Sequence, residues 1–149
     1  MNIRKAIETD IPAIVSLLAS DALGSERENY TLPIPESYIK AFQNITSNSN
    51  QYLIVVEDAD EIIGTAQLSL ISYMTYQGGI RAQIEAVRIK SDRRGSGIGE
   101  QLFKWMISKA KDKGAHLIQL TTDKKRPEAL RFYEKVGFKA SHEGLKMHF

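Results

Sequence analysis

Cysteine is absent from all 149 positions. That excludes disulfides and thiolate metal sites, and it also excludes a cysteine acyl-enzyme, so direct transfer to the acceptor is the simplest route for any acyl group handled by this chain. Long apolar runs are missing too. Nothing approaches the roughly 20 residues needed to cross a bilayer. The opening Met1-Asn2-Ile3-Arg4-Lys5 leads into no apolar signal segment, so a cytoplasmic chain without a membrane partner is expected. Neither charge sign dominates: 20 basic and 18 acidic side chains leave +2, too balanced to argue for nucleic acid. The three histidines, His116, His142 and His148, lack metal spacing and carboxylate company, so no metal is expected.

What is present patterns as one α/β domain over residues 1–149. Asn2 to Ala6 suits a first strand, and Ile11, Ile14, Val15 and Leu18 then recur at helical spacing behind Thr9 or Asp10 as cap. Pro12 sits in the first turn, where its missing N–H costs nothing. A polar loop runs from Ser25 to Pro33, and a second helix starts near Pro35. Tyr52–Glu57 and Ile62 to about Tyr73 form strands joined by a turn, and Gly78-Gly79 leads into a third antiparallel strand from Ile80. A helix from about Glu100 stops at Gly114, a strand follows from His116, and the separation between the two strands implies a right-handed crossover and a parallel pair. A last helix covers about Pro127 to Val136. Two short strands are expected near Phe138-Lys139-Ala140 and Leu145 to Phe149. The total is a mixed, mostly antiparallel sheet of about seven strands with about four helices.

The chain is organised around the stretch from Ile80 to Gly114. Ile80, Ala82, Ile84 and Ala86 alternate with Arg81, Gln83 and Glu85, and the phase then slips so that Val87 and Ile89 are the next apolar pair. A slip of one residue would turn the inward face outward unless the strand absorbs an extra residue. A β-bulge near Ala86 and Val87 is therefore expected, kinking the strand and freeing backbone groups. Arg94-Gly95-Ser96-Gly97-Ile98-Gly99 then turns tightly and presents amides at a helix start, an arrangement that attracts anions. The dinucleotide fingerprint fails because its last glycine falls on Glu100 or Leu102, and the nucleotide P-loop fails for want of a closing Lys-Ser or Lys-Thr.

The pattern R-x-x-G-x-G after a bulged strand resembles the pyrophosphate-binding motif of the GNAT superfamily of acetyl-CoA-dependent N-acetyltransferases. A second segment, Arg131-Phe132-Tyr133-Glu134-Lys135-Val136-Gly137-Phe138, resembles the F-Y-E-K-x-G-F segment of the same family. The resemblance implies acetyl-CoA as co-substrate in a cleft where the parallel pair splays. Val87, Arg88, Ile89, Arg94, Gly95, Ser96, Gly97, Ile98 and Gly99 would contact it, and Tyr133 would protonate the departing sulfur. Arg126 stands where many members carry an asparagine that holds the cofactor arm, a departure that weakens transfer of that contact. Arg88, Lys90, Arg93 and Arg94 make a basic cluster suited to phosphates.

The chemistry of the residues agrees. A lysine-like amine, of pKa about 10.4, must lose a proton before it attacks, so a base is required. Glu85, just before the bulge and opposite Ile84, is the candidate; family members often carry a glutamate there that works through water. A backbone amide freed at Val87 would serve as an oxyanion donor. The acceptor, a small-molecule or a protein or peptide amine, is open. So is the oligomeric state, although members of the family are often dimers. A non-catalytic acyl-CoA sensor on the same fold is the alternative.

Overall fold

Pairing partners, more than intrinsic propensity, set where the elements lie in the computed structural model, which describes residues 1–149. In chain order these are β1 (Asn2–Lys5), α1 (Ile11–Ala19), α2 (Ala22–Ser25), α3 (Glu36–Ser47), β2 (Gln51–Asp58), β3 (Glu61–Ser72) and α4 (Thr75–Gly78). They continue with β4 (Ile80–Ile89), α5 (Ile98–Asp112), β5 (Ala115–Leu120) and α6 (Pro127–Lys135). The sheet order is β1-β2-β3-β4-β5, antiparallel throughout except for the parallel β4–β5 pair. No helix is long and apolar enough to cross a membrane.

Both faces of the sheet are covered, which explains why Ile54, Val55 and Val56 on β2 are all fully buried. Tyr52, Ile54, Val56, Ile63, Ala66, Leu68, Ala82 and Ile84 meet Leu102, Phe103, Met106 and Ala110 of α5 on one face. On the other face Val55 and Ala6 pack against Ile14, with Leu18 and Phe42 at the margin. The β2–β3 turn is a two-residue hairpin with Ala59 and Asp60 both left-handed (φ 47° and 63°), the sense that matches strand twist.

Two sequence expectations are corrected. The sheet has five strands, not about seven: residues 138–140 and 145–149 form none. Ser141 N donates to Lys139 O (2.9 Å), which folds the backbone back where extension was expected. Beyond it, Leu145, Met147 and Phe149 alternate with polar residues but stand 95%, 79% and 115% exposed, so no apolar surface fixes them as a strand. There are also six α-helical segments, not about four, because the single turns α2 and α4 carry no periodic signal. Asp21 caps α2, accepting from Gly24 N at 2.7 Å. In α4 the backbone turns left-handed at Tyr76 and Gln77 (φ 52° and 60°), and it therefore links β3 to β4 by more than a tight turn.

The start of the chain is fixed by Arg4. Its guanidinium donates to both oxygens of Asp10 (2.7 and 3.1 Å) and both of Glu57 (3.0 and 3.2 Å), tying β1 to the approach to α1 and to the end of β2. Asp10 also accepts from Ile7 N (2.8 Å) and is itself buried. Burial opposes its charge, but the bonds from Arg4 and Ile7 outweigh burial and hold the carboxyl below its ordinary range. The hydrogen bond from Arg4 does the same for Glu57. Lowered carboxyls stabilise the fold above the ordinary carboxylate pKa of about 4 and lose that contribution as pH falls through the lowered value. Asp10→Asn is therefore expected to cost about 1–3 kcal/mol at neutral pH. In urea titrations its gap from the parent chain should close as the solution is acidified below that range. A gap that stays constant into acid would remove Asp10 from the account.

Candidate active site

The bulge falls where the phase slip predicts it. In the β3–β4 ladder Gln67 faces Glu85 and Thr65 faces Arg88, so Ala86 and Val87 together oppose Ala66. Ala86 takes a left-handed backbone (φ 55°), which for an L-residue costs roughly 1–2 kcal/mol. The extra residue keeps Ala82, Ile84, Val87 and Ile89 all toward the α5 side and sends Glu85 and Arg88 to the other face. Parallel pairing with β5 runs from Ile80↔Ala115 to Ile84↔Leu120 and then stops. The edge of residues 85–89 that would face β5 has no strand opposite it.

The glycine turn sits at the end of this edge. Gly95 and Gly97 are left-handed (φ 77° and 83°), and a Cβ at either would meet empty space, so conformation alone requires glycine there. Gly99 differs: an added Cβ would lie 3.2 Å from Phe132 Cζ, which fixes how closely α5 approaches α6. Gln101 N bonds Gly97 O (3.1 Å), leaving the preceding amides of α5 without intrahelical acceptors. Ser96 Oγ donates to Arg93 O (2.6 Å), and Arg94 Nε donates to Ile89 O (3.2 Å), pinning the turn to β4.

The basic cluster expected around this turn separates. Lys90 is paired with Glu61 and lies 3.6 Å from Asp92, and Arg93 lies 3.9 Å from both Asp58 and Glu61. Arg94 alone has no acidic partner. Arg88 has left the group altogether: it is 6% exposed, with Nε 3.2 Å from Asp21 Oδ2. Arg126 Nη1 lies 3.9 Å from the same oxygen. No local pattern in the sequence identifies Asp21 as the partner of Arg88.

Glu85 is exposed on the face it shares with Arg88, and no protein group bonds its carboxylate. Tyr133 approaches the cleft from α6, where its ring packs among Phe103, Phe132 and Phe138 at centroid separations of 5.6, 5.7 and 6.4 Å. Burial pushes its phenol above the ordinary value, against the opposing pull of Arg126 and Arg88. Trp105, on the same helix as Phe103, packs against this core. A separate cavity of about 630 Å³ lies between α1 and the β2–β3 turn, lined by Asp10, Ser16, Glu57, Glu61 and Lys90 among others. Glu85, Tyr133, Arg94 and the glycine turn do not border it.

An α/β sheet whose parallel pair parts at a bulge, beside a glycine turn that opens a helix, defines the acetyltransferase class of fold. The chain belongs to the GNAT acetyltransferase family, whose sequence model matches residues 19–138. It is 34% identical over 82 residues to an aminoalkylphosphonate N-acetyltransferase of Salmonella typhimurium; the match covers 55% of this chain and 53% of that enzyme. The chain thus spans about half the length of that relative. Among solved structures it is similar to a Bacillus halodurans protein described as a transcriptional regulator, with TM-score 0.97, 56% identity and 99% of each chain covered. A Clostridium acetobutylicum predicted acetyltransferase, solved with acetyl-CoA, matches with TM-score 0.76 and 26% identity over 99% of this chain and 95% of that one.

Of the six tyrosines, two have phenols pushed upward, Tyr133 and Tyr38, each chiefly by burial. Alkaline titration followed by phenolate absorbance should therefore contain two components later than the ordinary value of about 10. Tyr133→Phe should delete one of them. Arg126→Gln should move the surviving Tyr133 component later still, because a positive charge that favours the phenolate has gone. An unchanged late component in Tyr133→Phe would contradict the burial assigned to that ring.

Proposed function

We propose that residues 1–149 form one N-acetyltransferase domain that moves an acetyl group from acetyl-CoA directly to a primary amine. The observation that carries this reading is the parting of β4 from β5 at Ile84 and Leu120, with the bulge on one side and the glycine turn at its end. The residues fit a long phosphorylated thioester. The first amides of α5 and the guanidinium of Arg94 suit a pyrophosphate at Gly95–Gly99, and the free edge at Val87, Arg88 and Ile89 suits the amide-bearing arm. Acetyl-CoA would supply the activated acetyl group, and the rest falls to the chain.

Glu85 accepts a proton from the incoming ammonium, directly or through water; its exposure and lack of a protein partner leave it free to do so. The Val87 amide stabilises negative charge as it develops on the acetyl oxygen. Tyr133 gives its proton to the departing sulfur, and its upward-shifted phenol keeps that proton available throughout the neutral range. A small-molecule amine is the favoured acceptor class, since the Salmonella relative is named for one.

A second reading has its own support. The Bacillus halodurans protein is described as a transcriptional regulator. An acyl-CoA-responsive regulatory domain would use the same cleft without turnover.

Thiol release from acetyl-CoA across a panel of amines separates the two. For the enzyme, Glu85→Gln should lower kcat/KM by about 100-fold at neutral pH, with a smaller loss for amines of low pKa, which need the base less. Tyr133→Phe should lower kcat by about 10–100-fold at little change in the acetyl-CoA KM. Firm acetyl-CoA binding with no amine-dependent release would decide for the regulatory reading.

A further inference from the structure

Arg88 is the most deeply buried charge on the face of β4 that carries Glu85. It is 6% exposed, and of its nitrogens only Nη1 is hydrogen bonded, to the neighbouring Val87 O (2.9 Å). Nε lies 3.2 Å from Asp21 Oδ2 without the alignment of a hydrogen bond, so both atoms are buried and unbonded. The other Asp21 oxygen is already committed to Gly24 N as the cap of α2. Arg126 also leans on Asp21 Oδ2 at 3.9 Å, and its Nε is 3.9 Å from the exposed Glu128. Arg27, on the rim, is bonded to Glu28 (3.3 Å). Two guanidiniums thus approach one buried carboxylate oxygen, and the other carboxylate near Arg126, Glu128, is exposed to solvent. Unbalanced charge out of water is expensive unless a counter-ion completes the set.

The cluster is not on the cofactor side. Arg88 points to the sheet face opposite α5, the face it shares with Glu85 across the bulge. An acceptor whose amine reaches Glu85 would bring the rest of its body past Arg88 and Arg126. Resting on the acetyltransferase reading above, we propose that Arg88 and Arg126 bind an oxyanion carried by the acceptor, so that the substrate is a small amine bearing a carboxylate, phosphonate or phosphate. The downward push on the Arg88 guanidinium, from burial first and from Arg126 and Arg27 against Asp21, accords with a buried cation that a bound anion would stabilise. Arg126, 32% exposed on its side chain, is the movable half of the pair and the specificity-determining residue; Arg88 is the fixed half.

The full-length chain is assayed with acetyl-CoA and length-matched amines, 2-aminoethylphosphonate and β-alanine against ethanolamine and propylamine. The anionic amines are expected to have KM values about 10–100-fold lower, the span of one or two charge-assisted hydrogen bonds. Arg126→Gln should raise the KM for the anionic amines by about 10-fold or more and abolish their preference over the neutral ones, a split between amine classes that a purely structural role would not produce. Asp21→Asn, which keeps an oxygen for Gly24 N, should lower the KM for anionic amines further. Equal KM values for the two amine classes would overturn the inference while leaving the acetyltransferase reading intact. A shift confined to the acetyl-CoA KM in Arg126→Gln would overturn it as well, moving that guanidinium to the cofactor. If no amine is turned over, the acetyltransferase reading fails, and calorimetric titration of 2-aminoethylphosphonate against ethanolamine decides the anion site. Phosphonate binding lost in Arg126→Gln supports the site, and absence of phosphonate binding overturns it.

Discussion

One left-handed residue sets the layout of this protein. Ala86 adopts a backbone conformation that an L-residue avoids, and in doing so it accommodates the extra position in β4. Without it, Val87 and Ile89 would turn away from α5, and Arg88 would be driven into the apolar face that holds Ile84 and Phe103. With it, each side chain keeps its proper face, and the strand bends out of register with β5 after Ile84. The opening between the two strands is therefore a by-product of conserving the core. Strain at one position is outweighed by the burial of several apolar side chains at about 25 cal/mol per Å².

The two faces of the bulged strand then diverge in character. On the α5 side, Phe103 is fully buried and meets Phe132 and Phe138 edge-on at 5.4 and 5.8 Å, which locks α6 against α5 and brings Tyr133 to the opening. Gly99 completes that lock, since any larger residue would push on Phe132. On the opposite side the neighbours are α1 and α2, and the contacts become ionic. The cleft is thus bordered by an aromatic wall and by a charged wall, each fixed by different elements of the chain.

What could be read from the sequence, and what could not, follows the range of the interactions. The bulge was readable because a phase slip is written in adjacent residues, and the turn because Gly95 and Gly97 are placed where only local conformation matters. Helix limits at Pro12, Gly114 and Pro127 were readable for the same reason. The pairing of Arg88 with Asp21 was not, since it depends on how α2 docks on a strand far along the chain. Arg88 looked like one more phosphate-binding cation beside Arg94, and only its parity after the bulge separates them. The final strands were misjudged from the opposite direction. Leu145, Met147 and Phe149 have the right alternation, but alternation specifies a strand only when an apolar layer and a free edge receive it.

Burial ties the aromatic and charged walls together. Burial raises the Tyr133 phenol and separately withdraws solvent from Arg88, and those two groups lie within each other's field. Arg88 and Arg126 pull the phenol downward, and burial pulls it upward; burial is the larger effect, so the phenol lies above its ordinary value. An anion bound between the guanidiniums would cancel most of their pull and leave burial acting alone. Occupancy of the charged wall would then raise the phenol further, making Tyr133 a weaker acid while leaving it protonated at neutral pH, as it already is. A neutral amine would leave the guanidiniums uncompensated, and the phenol would be the stronger acid of the two cases. On the proposed reading, acceptor charge and phenol acidity would be coupled electrostatically, with no change of backbone conformation required.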